Sequence, residues 1–200
     1  MRRIWIAAVA IAGVLGFIAS QGATANHEPA DKVSASGSDV LVTNPGETIT
    51  LLSETMRTST TADLVLQFTA ECSIATDLTT VGNDTSSAEG IVRTWIEIDG
   101  VPVPVAGGDD GRITLCNQAN HRDTSNFDDE DATIHTHLLT AAANGFNWLA
   151  LNVGNGIHTI EVKATLTETA TNNATADAAV GKRTLTIEPT HAANDETTAG

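Results

Sequence analysis

The chain has 200 residues, and its 25 acidic residues against 10 basic ones give a formal net charge of −15 at pH 7. Because phosphate repels so acidic a protein, the composition excludes nucleic-acid binding through a basic patch. Two cysteines exclude a disulfide-dense miniprotein, and a chain that is 41% hydrophobic and 18% charged is too apolar to be wholly disordered.

The N-terminus has the pattern of a secretory signal peptide. Arg2 and Arg3 precede an uncharged apolar run over residues 4–19, and the small residues 23–25 read Ala-Thr-Ala. We expect cleavage after Ala25, with no membrane insertion of the mature chain; the alternative is an uncleaved anchor. Loss of both arginines takes the formal charge to −17. The expected organisation is a signal peptide over 1–25, a flexible segment over 26–32, a folded domain over 33–189 and a disordered tail over 190–200.

Export would place Cys72 and Cys116 in an oxidising environment, where two thiols of one domain usually pair. We therefore predict a disulfide between them. The alternative is two buried free thiols or a metal pair, although no Cys-x-x-Cys or Cys-x-x-His spacing supports a metal.

Most of the mature chain alternates apolar and polar residues in the pattern of strands with one buried face. The clearest predicted strand covers residues 64–74. Next, 91–98 and 101–105 flank Asp99-Gly100, which predicts a hairpin with Ile98 opposite Val101 and Thr94 opposite Val105. Shorter candidates cover residues 40–42, 48–52, 112–116, 134–138 and 184–187.

A second hairpin is predicted between residues 146–153 and 157–166, joined through residues 154–156. The first arm is apolar on both faces, which predicts a strand in the interior of a sheet or beneath another layer. Residues 167–179, rich in threonine and alanine, are predicted to form a loop.

About nine strands and no helix predict an all-β fold, a single antiparallel β-sandwich of immunoglobulin-like or jelly-roll-like type. The segments 156–164 and 183–187 resemble late strands of immunoglobulin-like or fibronectin-like domains, which implies a sandwich and no particular function. In the candidate strand 112–116, alternation places Ile113 and Leu115 on one face and Cys116 on the other. Either a bulge redirects Cys116, or this strand is buried on both faces.

Acidic residues are concentrated around the Gly-rich segment 107–111 and over residues 123–131. Ca²⁺ takes about six to eight oxygen ligands, and acidic loops at the ends of sandwiches supply them. The alternative is a solvated acidic surface. The predicted calcium ligands are Asp109, Asp110, Asp123, Asp128, Asp129 and Asp131.

His135 and His137 are two residues apart on a predicted strand and therefore share a face, which is compatible with a transition-metal site completed by His121 or nearby carboxylates. The alternative is the polar face of an ordinary strand. His158 is predicted to lie on the same strand face as the apolar residues Ile160 and Val162, so we expect a partly buried histidine with hydrogen-bond partners.

No nucleophile motif of the Gly-x-Ser-x-Gly type is present, and no pair of carboxylates stands out from the other acids.

We expect no enzyme but a secreted β-sandwich with a binding or structural role, stabilised by Ca²⁺, whose partner is an extracellular protein or glycan. Trp95 and Phe127 are the rings that an exposed ligand site would use; the alternative for Trp95 is a position under a loop. One alternative is a self-assembling fibre or coat subunit that donates residues 33–42 to a neighbour's sheet edge. A second is a metal-dependent hydrolase.

Overall fold

The computed structural model describes residues 32–38, 41–106, 109–124 and 132–190, and for residues 41–43 it describes the backbone alone. The predicted signal peptide, most of the segment 26–32, the acidic run 125–131 and residues 191–200 lie outside this part of the chain. The described residues include no helix long and apolar enough to cross a membrane.

Ten strands account for most of the described chain. Several are much longer than the sequence predicted, because threonine and alanine continue the alternation beyond the clearly apolar residues. They are β1 (Val33–Gly37), β2 (Leu41–Thr43), β3 (Thr48–Thr58), β4 (Ala62–Val81), β5 (Thr85–Ile98), β6 (Val101–Pro102), β7 (Ile113–Asp123), β8 (Thr133–Val153), β9 (Gly156–Thr171) and β10 (Ala174–Thr190).

The strands form two five-stranded sheets whose ladders are antiparallel. Sheet A has the order β1-β10-β4-β8, and β2 pairs with the same side of β10 as β1. Sheet B has the order β3-β9-β5, with β6 and β7 sharing the far side of β5. The predicted all-β sandwich is therefore confirmed, while the immunoglobulin-like or jelly-roll-like assignment stays a prediction.

The core lies between the two sheets. Leu64, Leu66 and Phe68 of β4 are fully buried, as their alternation predicted, and belong to one cluster with Ile160 and Val162 of β9. Burial of each such side chain contributes roughly 1.5–3 kcal/mol. Packing of these inner faces holds sheet A on sheet B.

A disulfide between Cys72 and Cys116 joins the sheets covalently, as predicted. Cys72 lies on β4 and Cys116 on β7, with Cα atoms 6.2 Å apart. The β5–β7 register steps from Val92 opposite Cys116 to Arg93 opposite Thr114, which leaves Leu115 as a bulge. Of the two alternatives for Cys116, the structure therefore shows the bulge.

The Asp99-Gly100 hairpin is confirmed near its turn. Ile98 lies opposite Val101, and both turn residues have positive φ, 53° at Asp99 and 80° at Gly100. The prediction of Thr94 opposite Val105 is wrong, because Thr94 pairs with Ile113 of β7. The second arm ends as a strand at Pro102, since Pro102 and Pro104 cannot donate to a ladder.

The predicted hairpin of residues 146–153 with 157–166 is wrong. β8 pairs with β4 in sheet A, whereas β9 pairs with β3 and β5 in sheet B, so the chain crosses between the sheets at residues 154–155. Two arms of a hairpin are expected to place their apolar residues on the same face of the sheet. Two strands that face each other across a core show the same alternation of apolar residues. The sequence pattern alone does not distinguish these cases.

β8 is also not an interior strand. It ends the described order of sheet A, and its Leu149 and Leu151 are 42% and 40% exposed. Residues 167–179 are not a loop, since β9 runs to Thr171 and β10 begins at Ala174. The turn is made by Asn172 and Asn173, whose φ values are 46° and 45°, a conformation that asparagine tolerates better than most residues.

Candidate binding surface

The carboxylate of Asp109, a predicted calcium ligand, is occupied by its own loop. Backbone amides donate to it from Ala106 at 2.9 Å, Val105 at 2.8 Å and Gly111 at 3.0 Å. The Ala106 amide, followed by the other two, holds the pKa of Asp109 below its ordinary value. In this arrangement Asp109 closes the loop before β7, and its oxygens already have donors.

Asp110 is held by Arg112, whose Nε lies 3.0 Å from its Oδ2. The guanidinium of Arg112 also lies 3.9 Å from the ring centre of Trp95. Trp95 is 3% exposed and donates from Nε1 to Glu97 Oε1 at 2.8 Å. Trp95 is therefore a covered ring and not an open platform for a glycan, while Phe127 lies outside the described residues.

Asp123 is the last residue of β7, opposite Thr85. The other predicted ligands, Asp128, Asp129 and Asp131, fall in the run 125–131, outside the described residues. The described part of the chain does not gather three or more potential metal ligands at one point. Calcium binding stays a prediction that depends on Asp123 and the acidic run.

His135 and His137 share the exposed outer face of sheet A. His135 Nδ1 is 3.0 Å from Thr79 Oγ1, and His137 Nδ1 is 2.7 Å from Asp77 Oδ1. Each histidine thus contacts its cross-strand neighbour on β4. Neither lines the two grooves described below. This arrangement matches the polar face of a strand.

The imidazole of His158 is held between two hydrogen-bond acceptors. Its Nδ1 lies 2.7 Å from Asp99 Oδ2, and its Nε2 lies 2.9 Å from the Gly154 carbonyl. Both partners accept, so only the imidazolium donates to both at once. The bond to Asp99, aided by Gly154, raises the pKa of His158, while the pKa of Asp99 is lowered. The predicted partly buried, satisfied histidine is confirmed.

An apolar groove of about 430 Å³ opens beside this pair. We call it the hairpin groove, because the β5–β6 hairpin forms one wall and the end of β8 the other. Its rim is made of large apolar side chains that are exposed to solvent, Val101 to 66%, Leu149 to 42% and Leu151 to 40%. The lining residues are Ile98, Asp99, Val101, Pro102, Val103, Pro104, Leu149, Ala150, Leu151, Val153, Gly154 and His158.

Sequence reasoning missed this surface although its signal was visible. The run 146–153 is apolar on both faces, which we interpreted as a strand covered on both sides. Such a run is equally expected for a strand whose outer face binds another molecule. Only the position of β8 at the edge of sheet A separates the two interpretations.

Comparison with known proteins gives no relative from which function follows. No protein family and no curated protein sequence matches the chain. Among solved structures, infectious bursal disease virus of the Gx strain aligns with 82% of this chain and 32% of its own, at 13% identity and a TM-score of 0.34. The Gt strain aligns with 79% and 33%, at 14% and 0.31, and the VP2 subviral particle of this virus with 80% and 37%, at 13% and 0.26. The chain thus spans about a third of each viral chain, and scores this low do not establish a relationship.

Proposed function

We propose that the protein is exported and acts at the cell exterior as a non-enzymatic binding or structural β-sandwich. The disulfide between the two sheets suits an oxidising compartment. The N-terminal pattern of two arginines, an apolar run and Ala-Thr-Ala supports export.

The hairpin groove is the observation that carries the binding role. Exposed apolar patches of soluble proteins mark contact sites, and binding pockets are concave and mostly apolar with few polar groups. Here the charged side chains of the lining are Asp99 and His158, which already pair with each other. The groove therefore favours an uncharged, apolar segment of an extracellular polypeptide over an ionic ligand.

The test compares two glutamate substitutions at exposed apolar residues. Leu151→Glu places a charge in the hairpin groove, whereas Ile157→Glu places the same charge on a residue that is 62% exposed and does not line it. The measurement is the fraction of protein that remains on washed producing cells rather than in the medium. We expect Leu151→Glu to release the protein into the medium and Ile157→Glu to leave its distribution unchanged. Equal distributions for both variants and the unmodified chain would contradict the proposal.

We also propose that Ca²⁺ stabilises the protein by binding to Asp123 and the acidic run 125–131. Asp109 is not expected to contribute, because three backbone amides occupy its carboxylate. The supporting feature is the concentration of carboxylates at one β7–β8 connection.

A second candidate function is a fibre or coat subunit assembled by strand exchange. β1 and β2, from the segment 33–42 that we predicted to be a donor, pair with β10 of their own chain. The same ladder can form with β10 of a neighbour. Deletion of residues 26–38 should then abolish concentration-dependent assembly, and a full chain that is monomeric at all concentrations would rule this candidate out.

A further inference from the structure

The outer edge of β8 is open in the described part of the chain. β8 pairs with β4 from Thr133 to Val153, and no described strand lies on its other side. Alternate backbone N–H and C=O groups of an edge strand point away from its neighbour. The seven consecutive residues 137–143 are all exposed, whichever face of the sheet they occupy.

This edge lacks the protection that natural edge strands carry. Lysine, other charges, proline or a very short strand normally prevent an edge from pairing with another chain. β8 has 21 residues without Asp, Glu, Lys, Arg or Pro, where the chain average of 18% charged residues would give about four. The other edges differ, since β3 carries Glu54 and Arg57, β7 carries Arg122 and Asp123, and β1 has only five residues.

We propose that β8 pairs antiparallel with β8 of a second copy of this chain, across a two-fold axis near Ala141. This inference goes beyond the proposed binding function and does not depend on the hairpin groove. The pairing joins two copies of sheet A into one continuous ten-stranded sheet. Because the contact is the same on both copies, it closes as a dimer.

Charge argues for a second copy over other partners. A chain with a net charge of −15 repels its own copies over most of its surface, and a basic partner would be drawn to its acidic regions. Pairing through β8 opposes two strands without carboxylates, so two copies meet there without like charges on the paired strands. An uncharged strand offers a basic partner no such attraction.

Side-chain shape on the outer face supports the same pairing. Leu139 is 66% exposed, and an axis at Ala141 places it beside Ala143 of the second copy. Next to Ala143 lies a shallow groove of about 400 Å³ on the outer face of sheet A, lined by Glu71, Cys72, Ser73, Ala141, Ala142, Ala143, Ala179 and Gly181. Apart from Glu71 these side chains are small, and they leave space for Leu139 of the partner, twice in a symmetric dimer.

The first test is sedimentation velocity of the chain purified from the medium, over about 1 to 100 µM. We expect a concentration-dependent dimer that tightens as salt screens the net charge. Leu139→Glu should weaken it about tenfold or more, because the pairing would bury a carboxylate against Ala143 of the partner, in a groove that already contains Glu71. Ile157→Glu adds the same charge to an equally exposed residue and should leave dimerisation within about twofold of the unmodified chain.

The second test determines whether the two-fold axis lies near Ala141. Ala141 lies opposite Ser73, on the outer face of sheet A, so Ala141→Cys is expected to cross-link two copies under mild oxidation, whereas Ile157→Cys is not. Thermal midpoints of all variants verify that they fold. A monomeric chain at every concentration, equal weakening by Leu139→Glu and Ile157→Glu, or equal cross-linking by the two cysteine variants would overturn the proposal. The binding proposal is tested by how Leu151→Glu changes retention on cells, and the dimer proposal by sedimentation and cross-linking. Failure of one proposal therefore does not contradict the other.

Discussion

Asp99 combines a conformational and an electrostatic role in the β5–β6 turn. Its φ of 53° suits the hairpin, while its side chain accepts from the Thr159 amide at 2.8 Å and contacts His158. Because the pKa of His158 is raised above 6.5, its contribution to stability is complete below that pH and is lost as pH rises through the raised value. Because the pKa of Asp99 is lowered below 3.8, its contribution is present above that pH and is lost as pH falls through the lowered value.

Asp99→Asn keeps a residue that tolerates positive φ and removes the charge. We expect the thermal midpoint of the unmodified chain to exceed that of the variant most between pH 3.8 and 6.5, and the difference to shrink above this window. Since Asp99 is half exposed, the effect is at most about 1 kcal/mol, or about 2–4 °C. Asp77→Asn breaks the more exposed His137 pair and serves as the control, with a smaller expected change. A pH-independent difference would contradict this role.

Asn173 allows β9 and β10 to follow each other closely. With φ of 45°, it occupies a region that β-branched residues avoid. Asn173→Val should therefore lower the free energy of unfolding by about 1–2 kcal/mol, whereas Asn173→Gly should be tolerated. Denaturant unfolding measures both, and Thr169→Val, at an exposed strand position, is the control. Equal stability of the valine and glycine variants would show that the turn does not constrain the fold.

At the scale of elements, the disulfide is the covalent link between β4 and β7. Cys72→Ser should lower the free energy of unfolding by about 2–5 kcal/mol, because the unfolded chain loses a cross-link over a sequence separation of 44 residues. The Cys72→Ser/Cys116→Ser double variant should lose no more than the larger single effect, since each change removes the same bond. A loss below about 1 kcal/mol in denaturant unfolding, or two free thiols in the native protein, would contradict this role.

Strand identity could be predicted from the sequence far better than strand pairing. The alternation of Leu64, Leu66 and Phe68 depends on local burial, and the Asp99-Gly100 turn depends on local backbone conformation, so both were predictable. The partner of β8 depends on contacts with β4, about 50 to 90 residues away in the chain, which alternation does not encode. For the same reason the apolar run 146–153 was predicted to be covered, although Leu149 and Leu151 form the rim of the hairpin groove.

At the scale of the whole molecule, calcium should act through the β7–β8 connection. If Asp123 and the run 125–131 bind Ca²⁺ in the native state only, millimolar Ca²⁺ should raise the thermal midpoint by several degrees over EDTA. Asp123→Asn should reduce this rise, whereas Asp109→Asn should lower the midpoint equally with and without Ca²⁺, because Asp109 binds its own loop. An equal rise in Mg²⁺, or none in Ca²⁺, would contradict a specific calcium site.

The net charge makes a separate prediction about salt. At pH 7 the charge of −15 repels itself within the folded chain, and the screening length falls from about 10 Å at 0.1 M salt to about 3 Å at 1 M. Sodium chloride should therefore raise the thermal midpoint at pH 7 but have little effect near pH 4.5, the isoelectric point, where the net charge vanishes. The same rise at both pH values would indicate a general effect of salt on apolar burial instead of relief of charge repulsion. A rise at pH 7 alone would support the premise that the net charge is strong enough to repel like charges, within one chain and between two copies.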